Sequence, residues 1–192
     1  MHNTRLKSVK SKRRLTASAL VVAFALNGLA QSATRCAELP NFHQVNSQLY
    51  RGAQPKPDGL QKLRTMGVKT VVNLRGENDH TRAEGEEART LGLGYYNVAL
   101  PEFSKPKDEE VQRVLDIINA PENQPVFVHC RRGEDRTGTI IACYRITHDG
   151  WNAADAKKEA KARGMSWTQV GMKDYIDDFY KHRQKSATVG SK

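Results

Sequence analysis

The amino-acid sequence predicts a single α/β domain with a central, mainly parallel sheet flanked by helices. Short apolar runs of strand length alternate with longer stretches in which apolar residues recur at helical spacing. After residue 30 no internal repeat or low-complexity linker divides the chain, and about 160 residues are enough to enclose one core. A cysteine-containing loop lies between a predicted strand and a predicted helix, where α/β sheets bind their ligands.

The order of the predicted elements supports this fold class. Strands are expected at residues 48–51, 68–74, 94–100 and 125–129, which are short runs rich in apolar and β-forming residues. Helices are expected at residues 58–66, 79–91, 107–119, 137–148, 152–163 and 172–182, where the apolar spacing follows a helical period. The first of the strands is expected at an edge of the sheet.

The first thirty residues form a separate segment. Six of the 31 basic residues and none of the 21 acidic residues lie here, and an apolar stretch at residues 15–30 follows the basic head. This order is typical of a signal peptide, with cleavage expected after Ala30, and the stretch is short for a bilayer span. We therefore expect an exported protein, periplasmic or secreted; the alternative is an uncleaved membrane anchor at residues 15–30.

The remaining boundaries follow from composition. Residues 31–44 are expected to form an exposed lead-in, residues 45–183 the α/β domain, and residues 184–192 a frayed, charged tail. Without residues 1–30 the formal charge falls from +10 to +4, and no basic patch interleaved with aromatic residues remains, so a nucleic-acid partner is not expected. Three cysteines are too few for a disulfide scaffold. The oligomeric state is left open.

The loop at residues 129–138 carries the main chemical signal. Cys130 and Arg136 are separated by five residues, a CX5R motif. A loop that leads into a helix N-terminus directs unpaired N–H groups at one point, where an anion binds and the thiolate form of a cysteine is favoured. Arg136 can offer two parallel donors to phosphate oxygens, and the Thr137 hydroxyl can hydrogen-bond the cysteine sulfur. Gly133 supplies the backbone freedom that such a tight loop requires.

At these residues the chain resembles the cysteine-dependent protein phosphatases, whose signature is His-Cys-x-x-Gly-x-x-Arg-Ser/Thr-Gly. Residues 50–55 and 71–75 are similar to the opening strand turn and the second strand of the compact dual-specificity branch, with its bacterial and atypical members. The likeness spans about residues 45–180. It implies a metal-independent hydrolase that dephosphorylates its substrate through a phosphocysteine on Cys130 and needs no cofactor. The residues expected to bind the phosphate are Arg131, Arg132, Gly133, Glu134, Asp135 and Arg136.

The proton donor is open between three carboxyl groups. Most relatives carry an aspartate on an upstream loop, and no aspartate stands at that place here. Asp135 resembles the loop aspartate of the Gly-x-Asp-Arg-Thr variant, which is thought to donate the proton in some bacterial tyrosine phosphatases; its alternative role is an ion pair that positions a neighbouring arginine. Glu102 on the upstream loop is the second candidate. Asp108 is the third, although its place before Glu109 and an apolar helical run favours a helix start.

The charges of the loop indicate a monophosphate substrate. Arg131 and Arg132 are offset by Glu134 and Asp135, and two carboxylates would repel the neighbouring phosphates of a highly phosphorylated inositol. We therefore expect a phosphorylated protein or a small phosphomonoester, with phosphotyrosine before phosphoserine or phosphothreonine. The alternatives are an inositol phosphate phosphatase with the same chemistry and a phosphate-binding pseudophosphatase without turnover.

Other conspicuous residues have structural interpretations. Cys143, on the helix after the loop, is expected to be a small buried side chain. Trp151 and Trp167 are expected to pack between helices. Arg51 and Arg75 are expected to form ion pairs within the fold rather than to contact the substrate.

Overall fold

A five-stranded sheet forms the centre of the computed structural model, which describes Met1 and residues 37–189. Its strands lie in the spatial order β1-β2-β5-β3-β4. Neighbouring strands from β2 to β4 are parallel, and β1 runs antiparallel to β2. The predicted α/β class with a mainly parallel sheet is confirmed. The strands are β1 (His43–Asn46), β2 (Leu49–Ala53), β3 (Thr70–Asn73), β4 (Gly94–Asn97) and β5 (Val126–Cys130).

Six α-helices surround the sheet within the described residues, and each matches a predicted helix. One face of the sheet is covered by α1 and α2, and the other by α3, α4 and α6, with α5 packed on α4. The helices are α1 (Gly59–Thr65), α2 (Asp79–Thr90), α3 (Asp108–Asn119), α4 (Asp135–His148), α5 (Ala153–Ala162) and α6 (Val170–Val189), and a 3-10 turn lies at Pro121–Asn123.

Side chains of the central strand alternate between two cores. In β5, Val126 and Val128 join the apolar cluster under α3 and α4, while Phe127 joins the cluster that contains Leu60 and Leu63 of α1. Successive strand residues point to opposite faces, so a strand covered on both faces has to be apolar throughout. The apolar run before the cysteine loop therefore places that loop at the centre of the sheet.

Residues 37–44, the described part of the expected exposed lead-in, are partly buried. Leu39 is buried in the cluster beside α1, and β1 begins at His43. Because β1 covers β2, the strand predicted at the edge of the sheet is second from the edge. The polar sequence of β1 gives no strand signal of its own, since the strand forms through its ladder with β2.

The C-terminal helix is longer than the sequence predicts. It continues to Val189, whereas a frayed tail is expected from residue 184. Within residues 37–189 no helix combines the length and apolar content needed to cross a bilayer. The predicted signal peptide or anchor at residues 1–30 lies, apart from Met1, outside the described residues.

Candidate active site

The cysteine loop connects the carboxyl end of β5 to the amino end of α4. Cys130 is the last residue of β5, and α4 begins at Asp135, so the predicted strand, loop and helix are confirmed. The Cys130 side chain is 3% exposed. It lies where the unpaired N–H groups and the positive end of a helix dipole meet, which favours an anion at this point.

A cavity of about 80 Å³ opens over Cys130. Pockets that enclose whole ligands have volumes of roughly 300–1,000 Å³, so this one accommodates a group the size of a phosphoryl rather than a complete substrate. Phe103 and Gln169 are the lining residues that the sequence does not predict. The lining consists of Glu102, Phe103, Cys130, Arg131, Arg132, Asp135, Arg136 and Gln169.

Gly133 allows the loop to pass directly against β2. Its φ is +71°, and a Cβ at this position would lie 2.3 Å from the carbonyl carbon and oxygen of Gly52 and 2.6 Å from the amide nitrogen of Ala53. Only glycine combines a left-handed backbone with so close an approach.

Arg136 and Thr137 occupy the first turn of α4. Arg136 is buried, with Nη1 3.5 Å from the carbonyl oxygen of Leu74 and Nη2 3.8 Å from Oε1 of Glu102. Both contacts are long, so the guanidinium retains donors for an anion in the cavity. The Thr137 hydroxyl is fully buried and has no hydrogen-bond partner among the described residues. It is therefore available to donate to the cysteine sulfur.

Asp135 is held by two donors. Its Oδ1 accepts a hydrogen bond from the Ser166 backbone N–H at 2.8 Å, and its Oδ2 accepts one from Nη2 of Arg132 at 3.1 Å. Arg132 is also paired through Nε with Oε2 of Glu134 at 2.7 Å. Both oxygens of the Asp135 carboxyl group are therefore occupied by donors on the protein. The ion pair that the sequence offers as the alternative role of Asp135 is present, with Arg132 as the partner.

Glu102 lies on the loop between β4 and α3 and faces the cavity. Its side chain is 57% exposed, and the contact with Arg136 at 3.8 Å is its one ion pair within residues 37–189. Its backbone carbonyl accepts a hydrogen bond from Nε2 of the buried Gln169 at 3.1 Å, which ties this loop to the start of α6. The backbone is therefore fixed, while the exposed carboxyl group faces the mouth of the cavity.

Asp108 does not line the cavity. It is the first residue of α3, and its Oδ1 accepts a hydrogen bond from the Tyr175 hydroxyl at 2.9 Å. The helix-start role predicted for Asp108 is confirmed.

A buried histidine and glutamate lie in contact behind Cys130. The His129 ring places Nε2 3.0 Å from Oε1 of Glu84 on α2 and Nδ1 3.3 Å from the carbonyl oxygen of Cys130. Both ring nitrogens therefore face oxygen atoms. Burial alone would raise the pKa of Glu84, but the charge and hydrogen bond of His129, with hydrogen bonds from Gln54 and Asn73, lower it.

The structural interpretations of Cys143 and Trp151 are confirmed, and that of Trp167 is wrong. Cys143 is fully buried, and burial raises the pKa of its thiol far above the ordinary value. Trp151 packs against the cluster of α4, α5 and α6, with the Arg145 guanidinium 4.8 Å from its ring centre. Trp167 is 84% exposed and lies in the turn between α5 and α6.

Within residues 37–189, Arg51 and Arg75 form hydrogen bonds instead of the expected ion pairs. Arg51 donates from Nη2 to the carbonyl oxygen of Gly133 at 2.7 Å, and Arg75 donates from Nη1 to Oε1 of Gln54 at 2.8 Å. Neither side chain lines the cavity over the cysteine. Arg51 therefore contacts the active-site loop from behind.

Comparison with known proteins identifies the family. The family model described as "DSP-PTPase phosphatase fused to NAD+ Kinase" matches residues 30–178, more than half of the chain. The chain belongs to the DSP-PTPase family. Dual specificity protein phosphatase TpbA of Pseudomonas aeruginosa is 31% identical over 164 residues, which cover 79% of this chain and 72% of TpbA. Inositol diphosphatase DSP5 of Arabidopsis thaliana is 26% identical over 144 residues, covering 73% of this chain and 70% of DSP5.

Solved structures show the same DSP-PTPase fold. The core catalytic domain of the PP-IP phosphatase SIW14 from S. cerevisiae superposes with a TM-score of 0.67 at 21% identity, covering 80% of this chain and 94% of that domain. The TpbA structure superposes with a TM-score of 0.62 at 26% identity and covers 79% of this chain and 99% of TpbA. The protein is therefore a cysteine-dependent phosphatase that hydrolyses phosphomonoesters.

Sequence reasoning missed four residues of this DSP-PTPase site, which are Phe103, Ser166, Gln169 and Glu84. Phe103 and Gln169 line the cavity, and Gln169 bonds the Glu102 carbonyl while the Ser166 N–H bonds Asp135; no local pattern marks these three residues. Glu84 had a recognisable signal, since it lies at helical spacing on the buried face of α2 with Thr81 and Ala88. A carboxylate on a buried helix face requires a partner, and here the partner is a histidine of the signature.

Proposed function

We propose that the protein removes phosphate from phosphotyrosine in proteins through a phosphocysteine intermediate on Cys130. The observation that carries the proposal is the cavity that joins Cys130 and Arg136 at the amino end of α4. A thiolate, a guanidinium and unpaired backbone N–H groups converge there on a space for one phosphoryl group.

The reaction proceeds in two displacements. The Cys130 thiolate attacks phosphorus, the P–S bond forms as the P–O bond to the tyrosine oxygen breaks, and a proton passes to that oxygen. Water then attacks the phosphocysteine, inorganic phosphate leaves and the thiolate is regenerated, aided by a hydrogen bond from the Thr137 hydroxyl. Arg136 and the loop N–H groups bind the phosphoryl oxygens and stabilise the charge that develops on them.

Glu102 is the proton donor in this proposal. A donor needs a protonated carboxyl within reach of the leaving oxygen, and Glu102 faces the cavity on a loop that Gln169 holds in place. Both oxygens of Asp135 instead accept hydrogen bonds, from Ser166 and Arg132. Asp135 therefore positions the turn before α6 and the Arg132 side chain.

An aromatic side chain at the cavity supports phosphotyrosine as the substrate. Phe103 lines the cavity and is 78% exposed. A ring at the rim of a pocket can stack on the phenyl ring of a substrate whose phosphate is bound inside. A cysteine-to-serine variant of TpbA has been solved in complex with phosphotyrosine, with a TM-score of 0.61 at 25% identity to this chain. Phosphoserine and phosphothreonine have no ring, so we expect a lower kcat/KM for them.

A diphosphoinositol is the second candidate substrate, because Arg131 is unpaired. Its side chain has no hydrogen-bond or ion-pair partner in the described part of the chain, and it lines both the cavity and a neighbouring groove that contains Lys56 and Arg75. The relative DSP5 is named an inositol diphosphatase. A second phosphate of such a substrate would bind to Arg131 at the junction of the two spaces.

The nucleophile is tested with Cys130→Ser on a phosphotyrosine peptide. We expect the wild-type protein to release phosphate at the same rate with and without a chelator, and Cys130→Ser to bind the peptide without turnover. Cys143→Ser is the matched control, because it changes a buried cysteine that the mechanism does not use. Wild-type turnover in Cys130→Ser, or loss of the rate with the chelator, would contradict the proposal.

The proton donor is tested by comparing Glu102→Gln with Asp135→Asn on aryl phosphates of different leaving-group pKa. Loss of a general acid lowers the rate by roughly 10²–10⁴-fold for poor leaving groups and much less for good ones. We expect this dependence in Glu102→Gln and a uniform decrease across the series in Asp135→Asn. The opposite pattern would assign the proton to Asp135.

The two substrate classes are separated by Arg131→Ala. If a diphosphoinositol is the substrate, the variant raises its KM about tenfold or more, which corresponds to one lost charge-assisted hydrogen bond. If phosphotyrosine is the substrate, the phosphopeptide has the higher kcat/KM and changes less in the variant.

We also propose that residues 1–30 direct the protein across a membrane, to the periplasm or the exterior. The basic head and the apolar stretch at residues 15–30 support export, and retention of that stretch as an anchor is the alternative. N-terminal sequencing of the protein from fractionated cells of its own host is the test. A chain beginning at Gln31 outside the cytoplasm supports cleavage, a membrane-bound full chain supports the anchor, and a full chain in the cytosol contradicts both.

A further inference from the structure

Four consecutive peptide groups of the active-site loop are held from outside the cavity. The carbonyl oxygens of residues 130–133 each accept a hydrogen bond from a donor behind the loop. In chain order the donors are Nδ1 of His129 at 3.3 Å, the backbone N–H of Gln54 at 3.3 Å, Nδ2 of Asn41 at 3.0 Å and Nη2 of Arg51 at 2.7 Å. Asn41 Nδ2 also lies 3.3 Å from the last of these carbonyls.

These bonds fix the direction of the N–H groups. In a planar trans peptide the N–H of one residue points opposite to the carbonyl of the residue before it. With the carbonyls of residues 130–133 held outward, the N–H groups of residues 131–134 point inward. None of these four N–H groups donates to another group in residues 37–189. Four unpaired N–H groups in succession form a concave anion site, and the oxygens of one phosphoryl group can satisfy them together.

We propose that Asn41 and Arg51 are positioning residues that aim these N–H groups at the phosphoryl oxygens, and that the charge of Arg51 also stabilises the anion in the cavity. The inference rests on the proposed function, because it takes the loop as the phosphoryl site. Both residues lie outside the signature, one before β1 and one in β2.

Asn41 is itself fixed in the orientation this role requires. Its φ is +50°, a left-handed conformation that asparagine tolerates better than most residues. Its Oδ1 faces Nε2 of His43 at 3.2 Å, and Nδ1 of His43 faces Nη1 of Arg163 at 3.1 Å. Burial, together with the charges of Arg163 and Arg51, lowers the pKa of His43, so Nδ1 remains an acceptor. The ring then donates to Oδ1, which leaves the amide N–H group of Asn41 directed at the loop.

Arg51 carries a charge that its own contacts do not balance. Its side chain is 1% exposed, and Nε and Nη1 have no hydrogen-bond partner among the described residues. Burial lowers the pKa of Arg51 to about 10, so the group stays charged at neutral pH. A buried guanidinium with one hydrogen bond is destabilising unless an anion lies near it. The charged and titratable groups that act on it are Glu159 of α5, Arg163 directly after α5, Cys130 of β5, Arg145 of α4 and His43 of β1.

The test of Arg51 compares Arg51→Met, Arg51→Lys and the control Lys157→Met in the full chain. Lys157 is a partly buried cation of α5 that pairs with Asp177 of α6 and is not among the groups that act on Arg51. We expect Arg51→Met to lower kcat/KM for p-nitrophenyl phosphate about 100-fold, the scale for losing one preorganised donor, and to raise the inhibition constant of inorganic phosphate about tenfold. The midpoint of the iodoacetamide alkylation–pH curve should rise in Arg51→Met and stay near wild type in Arg51→Lys.

A loss of folding stability alone would change Tm without changing the phosphate inhibition constant or the alkylation midpoint. Lys157→Met is expected to lower Tm while kcat/KM stays within about threefold of wild type. If Arg51→Met and Lys157→Met lose turnover in proportion to their loss of Tm, with the phosphate inhibition constant and the alkylation midpoint unchanged, the inference is overturned.

The test of Asn41 uses Asn41→Asp and Asn41→Gly. The first keeps the size of the side chain and replaces a donor with an acceptor, and the second keeps the left-handed backbone. Both should raise the phosphate inhibition constant by about tenfold, and wild-type values in both would refute the role of Asn41. A wild-type protein that neither hydrolyses the ester nor binds phosphate would overturn the proposed function as well, whereas an active wild type with unaffected variants overturns this inference alone.

Discussion

Gly133→Ala tests how closely the active-site loop approaches β2. The new Cβ would lie 2.3 Å from the Gly52 carbonyl, whereas ordinary contact begins at 3.4 Å, so the two segments have to separate by about 1 Å. The left-handed φ of +71° adds about 1–2 kcal/mol for a residue with a Cβ, and overpacking adds about 1–3 kcal/mol. We therefore expect a loss of about 2–5 kcal/mol in the free energy of unfolding. A displacement of about 1 Å at the loop should also lower kcat/KM by roughly 100-fold.

Gly92→Ala separates the two contributions. Gly92 has nearly the same φ, +74°, but nothing lies within 4 Å of an added Cβ, so this variant measures the backbone conformation alone. Urea unfolding of both variants and of wild type gives the difference, and turnover of p-nitrophenyl phosphate gives the effect on catalysis. If Gly133→Ala costs no more than Gly92→Ala and keeps wild-type turnover, the close approach and the reasoning built on it are wrong.

Three further substitutions have expected outcomes. Leu39→Ala should lower the free energy of unfolding by about 2–5 kcal/mol in urea titrations, and a change below about 0.5 kcal/mol would show that the segment before β1 lies outside the core. Glu84→Gln should cost about 3–5 kcal/mol at pH 7, since it leaves His129 buried with a weaker acceptor. Because the pKa of Glu84 lies below its ordinary value of 4.5, its contribution is complete above pH 4.5 and is lost as the pH falls through the folded value; the difference between wild type and variant should shrink there. Asp135→Asn should lower Tm through its weakened bonds to Ser166 and Arg132, while Glu102→Gln leaves Tm unchanged.

Elements with strong local patterns could be predicted from the sequence. The strand that ends at Cys130 and the helix after the loop were predicted within a few residues. β5 is buried at every position and begins with three apolar residues, and α4 has an apolar, buried run at residues 140–144. β1 could not be predicted, because its four residues are mainly polar and its pairing with β2 determines its conformation. The burial of Leu39 depends in the same way on its packing against α1, which begins twenty residues later.

The active site shows the same difference between features that local sequence determines and features that distant residues determine. The signature at residues 129–138 predicted the position of the thiol, the anion site and the arginine, because spacing within one loop determines them. The contacts of the two candidate carboxyl groups depend on donors that are distant in sequence. Asp135 meets the N–H of Ser166 across 31 positions, and the backbone carbonyl of Glu102 meets Gln169 across 67. A sequence pattern limited to one loop could not choose between the two acids.

The same reasoning shows why a match to the signature predicts chemistry better than rate. Residues 129–138 supply the nucleophile and the inward N–H groups, but the direction of those groups is determined by carbonyls whose donors lie at Asn41, Arg51 and Gln54. A chain with an intact signature and altered donors in this earlier segment would keep the Cys130 thiol. Its loop N–H groups, however, would no longer point at the phosphoryl oxygens. Because transition-state stabilisation depends on dipoles that are fixed before the reaction, such a chain would bind phosphate weakly and turn over slowly with every signature residue in place. The segment from Asn41 to Gln54 therefore belongs to the catalytic unit as much as the signature does.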